Sequence, residues 1–156
     1  VTDSSPTHHL AQLNIARMRA PLDSPAMSGF VDRLDGINAL AEGSPGFVWR
    51  LVDGDGDDAT GLRPLGDDTI VNMSVWETVD SLWNFTYRSG HMEPLRLRRQ
   101  WFEHMGEAHT VLWWIPAGTV PTLDEAWERL NLLRTDGPSA EAFTFRSPSS
   151  PPSPQN

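Results

Sequence analysis

An α+β domain built on one antiparallel sheet is the fold class this chain predicts, and three observations predict it. Four short segments carry strand-type apolar patterning, two amphipathic helical stretches separate them in pairs, and a third helical stretch follows the last strand. Length agrees, because 156 residues with 38% apolar content can build one core and chains of this size ordinarily remain a single domain.

Residues 1–8 are polar and are expected to form a flexible N-terminus. The next segment, LAQLNIARM at residues 10–18, alternates Ala11, Leu13 and Ile15 with Gln12, Asn14 and Ala16, which reads as a strand with one polar-leaning face. His8 and His9 precede it and are read as solvated rather than as a metal pair. Ser24 followed by Pro25 marks a helix start, and Met27, Phe30, Val31, Leu34, Ile37 and Leu40 form its apolar stripe up to Gly43. Two strands follow, FVWRLV at residues 47–52 and IVNMSVW at residues 70–76, joined by a loop containing DGDGDD. Asp53, Asp55 and Asp57 imitate a calcium loop, but Asp58 and Pro64 stand where that motif needs Gly and Glu, so the reading is a solvated hairpin loop.

Thr78 caps a helix carrying Val79, Leu82, Trp83 and Thr86, and Ser89-Gly90 breaks it before a second helical stretch begins at His91. Pro94 falls in the first turn of that stretch, where proline is tolerated. A fourth strand reads HTVLWWI at residues 109–115. Thr122 and Glu125 then form an S/T-x-x-E capping box, and a helix runs to about residue 135 before Gly137 and Pro138. Residues 146–156, RSPSSPPSPQN, lack apolar surface and are expected to be a disordered tail, leaving residues 9–145 as the domain.

The order βαββαβ plus a C-terminal helix is the ferredoxin-like arrangement, with helices on one face of the sheet. Trp49, Trp76, Trp113 and Trp114 are spread over the strands. Both faces then need cover, and a second copy packing sheet against sheet is the expected answer, giving a homodimer.

Composition excludes several chemistries. With no cysteine in the chain, disulfides, thiolate catalysis and iron–sulfur clusters are ruled out, and with all 12 basic residues arginine there is no Schiff-base or P-loop lysine. A net charge of −9 argues against a nucleic-acid partner. No apolar run reaches the roughly 20 residues a membrane helix needs, and no signal-like segment opens the chain, so a cytoplasmic protein with no membrane partner is expected.

The candidate site lies on the helix opened by His91. At about 100° per residue, Pro94, Leu95, Leu97, Trp101, Phe102 and Met105 share an arc with His91 and Arg98 near its middle. A titratable ring and a permanent cation on a buried stripe must be satisfied by something. For His91 the alternatives are a helix-start residue bonded to a backbone carbonyl or a neutral proton acceptor held so by the helix N-terminus. For Arg98 they are a buried salt bridge to a carboxylate such as Glu77 or a clamp on a substrate oxygen. Asn14 joins these two as the third catalytic candidate if it faces the helices. Trp83, Tyr87, Asn72, Trp76 and Trp101 are the candidate substrate contacts around an apolar small molecule. A three-histidine metal site from His91, His104 and His109 is disfavoured because its spacing crosses a helix end and a strand start. No metal is expected.

The blocks LAQLNIARMRAPLDSP, INALAEGSPGFVWRL, VNMSVWETVDSL, YRSGHMEPLRLRRQWFE and VLWWIPAG resemble the bacterial family named domain of unknown function 3291, over roughly residues 9–145. That resemblance implies the dimeric α+β barrel superfamily, which also holds antibiotic-biosynthesis monooxygenases, haem-degrading monooxygenases and chlorite dismutases. By implication the activity is monooxygenase-like, without an organic cofactor, on an aromatic or polyketide-like molecule of secondary metabolism. The haem-degrading members are similar in placing an Asn on the first strand and a Trp and a His on the second helical segment, as Asn14, Trp83 and His91 do here. This implies the alternative of haem with His91 as axial ligand, although Ser89-Gly90 sets His91 at a helix start. The remaining alternative is a non-catalytic small-molecule-binding module.

Overall fold

Alternation along the first strand sets the two sides of the whole sheet. The computed structural model describes residues 7–52, 60, 62–88 and 92–152. Its strands are β1 (His8–Arg17), β2 (Phe47–Arg50), β3 (Thr69–Trp76) and β4 (Thr110–Pro116), and its α-helices are α1 (Ser28–Glu42), α2 (Val79–Arg88), α3 (Met92–Trp101) and α4 (Leu123–Asp136). The strand order is β2-β3-β1-β4, with every neighbouring pair antiparallel. This is the ferredoxin-like α+β fold with an added C-terminal helix. The register sets Gln12 opposite Ser74 and Asn14 opposite Asn72, and on the other side of β1 it sets Asn14 opposite Thr110.

Ala11, Leu13 and Ile15 join Val71, Met73, Val75, Val111, Trp113 and Ile115 in one continuous apolar cluster. Helix α4 closes it with Ala126, Leu130 and Leu133. Thr122 begins α4 as the sequence indicates, its side chain accepting from Glu125 N at 3.1 Å, and Gly137 ends it at φ 77°. The Glu125 carboxylate does not complete the box. It takes a hydrogen bond from Trp113 Nε1 at 3.1 Å, tying helix to sheet. Among the described residues, α4 buries this face within one chain, where the sequence led to a second copy.

The opposite face carries Leu10, Gln12, Asn14 and Ala16 of β1 and lies under α1, α2 and α3. Helix α1 is entered through a 3-10 turn, Pro25–Met27, and Ser24 makes no side-chain cap, its hydroxyl donating to Pro21 O at 2.5 Å. At α2 the cap is reciprocal: Ser81 N donates to Thr78 Oγ1 at 3.0 Å, and Thr78 N donates to Ser81 Oγ at 3.1 Å. Gly46, at φ 85°, abuts this cap, and a Cβ there would collide with the Ser81 side chain.

Helix α3 ends at Trp101 rather than reaching Met105. The chain turns extended so that Phe102 pairs with Met18, Arg19 N reaches Trp101 O at 2.8 Å and Glu103 N reaches Arg17 O at 2.9 Å. Bonds to the end of β1 thus replace a further helical turn. Beyond α4, Phe143 and Leu112 exchange backbone hydrogen bonds of 2.8 and 2.9 Å, and Trp114 Nε1 donates to Ser149 O at 2.9 Å. The segment set aside as a tail is therefore joined to β4 as far as Ser149. The aspartate loop at residues 53–58, Ser89, Gly90 and His91 lie outside the described residues. Among those described, no helix is long and apolar enough to cross a membrane.

Candidate active site

Under α1–α3 the sheet is apolar at both ends and polar in the middle. One apolar cluster holds Leu10, Trp76, Leu82, Leu112 and Phe143, and the other holds Met18, Met27, Ile70, Trp101 and Phe102. Between them, on adjacent strands, lie Gln12, Asn14, Asn72 and Ser74. The helices do not close onto this strip, and a half-open cavity of about 670 Å³ remains over it. Phe30, Leu34 and Ile37 of α1, with Phe85 of α2 and Phe47 of β2, supply apolar wall.

The floor is an ordered network. Gln12, only 7% exposed, donates through Nε2 to Asn72 Oδ1 at 2.7 Å and to Ser74 Oγ at 2.9 Å. Trp76 Nε1 also donates to Ser74 Oγ, at 2.9 Å, so this oxygen accepts two N–H groups and keeps its own proton to give away. Asn72, whose Oδ1 is taken by Gln12, is exposed on the cavity side and presents its amide there. Asn14 Nδ2 donates to Thr110 Oγ1 at 3.3 Å, leaving the Asn14 carbonyl oxygen for a further donor.

Arg33, Arg50, Arg98 and Arg146 line the cavity, and no Asp or Glu does so among the described residues. This inverts the −9 charge of the whole chain. Arg50 is matched outside the cavity by Glu42 at 3.1 Å, while Arg33 donates to Gly29 O at 2.8 Å and lies 5.7 Å above the Trp101 ring. Arg98 behaves differently from the expectation of a salt bridge to Glu77. Its Nη2 lies 3.4 Å from His109 Nε2, and among the described residues no carboxylate pairs with it. Burial, then the Arg98 charge, hold the His109 imidazole below its ordinary value of 6.5, with His104 and Arg134 adding to the depression and a hydrogen bond to the Glu107 backbone opposing it. The ring is neutral and accepts from the guanidinium.

Of the residues singled out in the sequence, Asn14, Asn72, Trp76, Tyr87, Arg98 and Trp101 meet around this one cavity. Trp83 stands behind the wall, its ring 4.3 Å from Tyr87 and 5.3 Å from Phe145. His91 lies outside the described residues. Gln12 and Arg33 are not among the residues singled out, although Gln12 shares the period-two face of Asn14 and Arg33 falls one helical turn from Phe30 and Ile37 on the α1 stripe, so both were readable. His109 figures in the sequence only as a disfavoured metal ligand; its entry into β4 gave no periodic signal for this place.

Among the described residues no group of three His, Asp or Glu side chains is arranged to hold a metal ion. The haem alternative rests on His91, which lies outside the described residues, and the described donors offer no replacement ligand. His109 is the one described imidazole on the cavity wall, and its Nε2 faces a guanidinium cation where an iron ligand would need a clear approach.

No curated protein matches the chain. Among solved structures, it is similar to the NE2512 protein of unknown function from Nitrosomonas europaea, at 9% identity over 74% of this chain and 97% of that one, with a TM-score of 0.48. It is also similar to SnoaB, a cofactor-independent oxygenase from Streptomyces nogalater, at 17% identity over 74% of this chain and 96% of that one, with a TM-score of 0.45. The family model for the domain of unknown function DUF3291 matches residues 9–156, and the chain belongs to that family.

Proposed function

We propose that the protein is a small enzyme that encloses an apolar aromatic or polyketide-like molecule between α1–α3 and the sheet and oxygenates it without an organic cofactor. The observation that carries this reading is the polar strip Gln12, Asn14, Asn72 and Ser74 between two apolar walls, beside an arginine that meets no described carboxylate. Gln12 and Ser74 are buried and hydrogen-bonded while Asn14 is half-buried and Asn72 exposed, and together they are aligned along a cavity of ligand size. Without a cofactor, the electrons for dioxygen come from the substrate, so the substrate has to be electron-rich, as an enolate or phenolate is. Arg98 and the Asn14–Thr110 pair stabilise the developing charge on oxygen, and His91 is assigned as the base for carbon–hydrogen removal. The balance is one CH2 group and one O2 giving one C=O group and one water.

Two copies forming a homodimer belong to this reading, with an interface away from the α4-covered face. Light scattering measures that mass directly. Turnover is tested by incubating the full chain in air with anthrone and related hydroxylated fused-ring compounds, following dioxygen uptake and product mass. Oxygen uptake with gain of one oxygen and loss of two hydrogens, abolished by His91→Ala in a protein that still folds, is the expected result. Binding without any product would leave a non-catalytic binding module, and turnover unchanged in His91→Ala would remove the assigned base.

A further inference from the structure

A guanidinium can only donate, so the approach of Arg98 Nη2 to His109 Nε2 at 3.4 Å fixes the tautomer: Nε2 presents its lone pair and the ring proton is on Nδ1. A half-buried permanent cation whose described partner is a neutral acceptor is suited to an incoming anion. A carboxylate would arrive already ionised and would need the cation alone. A phenol, with an ordinary pKa of about 10, arrives protonated at neutral pH and needs a second group to take its proton. The imidazole in contact with the guanidinium is such a group.

We propose that the cavity takes a fused-ring aromatic molecule bearing a phenolic or enolic hydroxyl, that Arg98 holds its oxygen, and that His109 Nε2 accepts its proton. The O–H bond breaks, its electron pair stays on oxygen, and an N–H bond forms at Nε2, with no oxidant or reductant consumed. This assignment rests on the aromatic-ligand reading above and names the acidic group that its substrate must carry. The two residues act in concert. An oxyanion seated on Arg98 replaces the 3.4 Å contact and offsets the charge that, after burial, depresses the ring, so His109 becomes more basic as the proton is offered. His104 and Arg134 still oppose protonation and the Glu107 backbone still favours it, while the Arg134 charge is itself met by the Glu107 carboxylate at 3.4 Å. His109 would thereby ionise the hydroxyl and leave the carbon-bound proton for the oxygenation step.

Alizarin, a dihydroxyanthraquinone that is yellow as the phenol and red as the phenolate, is the probe. Quenching of tryptophan emission reports occupancy, since Trp76 and Trp101 line the cavity. Absorbance across a pH series reports the ionisation of the bound dye. With the wild-type chain the red band is expected about one pH unit or more below its position for free dye. Binding at a pH where free dye is neutral should release no proton to a weakly buffered solution. Arg98→Lys should bind about tenfold more weakly. His109→Gln should still quench, but its dye should ionise closer to the free-dye midpoint and release its proton to solution. His109→Asn is carried alongside, so that a folding defect in one variant does not decide the result. Dye that stays yellow on the wild-type chain, or His109 variants that match wild type in band and proton release, would overturn the proton transfer while leaving the aromatic-ligand reading intact. Absence of quenching would overturn both.

Discussion

The two faces of the sheet are written on alternate residues of the same strands, yet they behave as different materials. Toward α4, Ala11, Leu13, Ile15 and their neighbours form one unbroken apolar cluster, and Ala126, Leu130 and Leu133 seat the helix directly on it. Toward α1–α3, four polar side chains interrupt the apolar surface, and the helices stand off. On α1 the buried residue is Ala41, while Phe30, Leu34 and Ile37 stay half-buried along the cavity, Phe30 also packing against Trp101 and Phe102. One face therefore supplies a continuous dry core, and the other leaves polar side chains open to a cavity, a division common where a site is carried on a rigid scaffold.

The sharpest way to break that division is to damage the dry face. Leu130→Ala removes a side chain that is 0% exposed and packed against the sheet, and should cost about 2–5 kcal/mol in stability by the transfer and cavity terms together. Urea unfolding followed by fluorescence measures it. Dye affinity under native conditions should stay within about twofold, since additive behaviour is expected for sites with no shared partner. A tenfold loss of affinity would mean the faces are coupled.

The converse change is Asn72→Leu on the wet face. Its amide faces the cavity and its carbonyl oxygen accepts from Gln12, which retains Ser74 as a second acceptor. Stability should move by no more than about 1 kcal/mol, because the lost hydrogen bond is offset by added apolar contact. Dye binding should fall about tenfold, close to the 1.4 kcal/mol that a tenfold change represents. A protein as destabilised as Leu130→Ala would show that the strip is structural rather than reserved for a ligand.

How much of this was readable depends on whether a feature is local. The alternation of β1, the placement of Asn14 and Asn72 on strands and the Thr122 cap all follow from neighbours in sequence, and all appear where expected. The end of α3 was not readable, because Trp101, Phe102 and Glu103 pair with Arg19, Met18 and Arg17, more than eighty residues earlier in the chain. Nor was the partner of Arg98. Glu77 is a plausible counter-ion by charge, whereas His109 reaches Arg98 across a helix end and a loop that no period connects. An amphipathic helix such as α4 announces that it will cover something but not which face. That ambiguity made the α4 side look as though it needed a second copy.

The mildest test of the comparison is the pH dependence of stability, since it reads the one described imidazole on the wet wall. The folded-state pKa of His109 is depressed below 6.5 by burial and then by Arg98. Above 6.5 the ring is neutral folded or unfolded and contributes no pH dependence. As pH falls through 6.5 the unfolded chain takes up the proton first, so stability declines, and the decline from this group stops once pH passes the folded pKa. The slope from one histidine cannot exceed about 1.4 kcal/mol per pH unit. His109→Gln should flatten that stretch of the wild-type profile, measured by urea midpoints between the two limits. Saturating alizarin should flatten it as well, because an oxyanion on Arg98 raises the folded pKa toward the unfolded one. A profile that the dye leaves unchanged would mean that ligand and imidazole do not meet, and the wet face would then be a binding surface without the acid–base pair assigned to it.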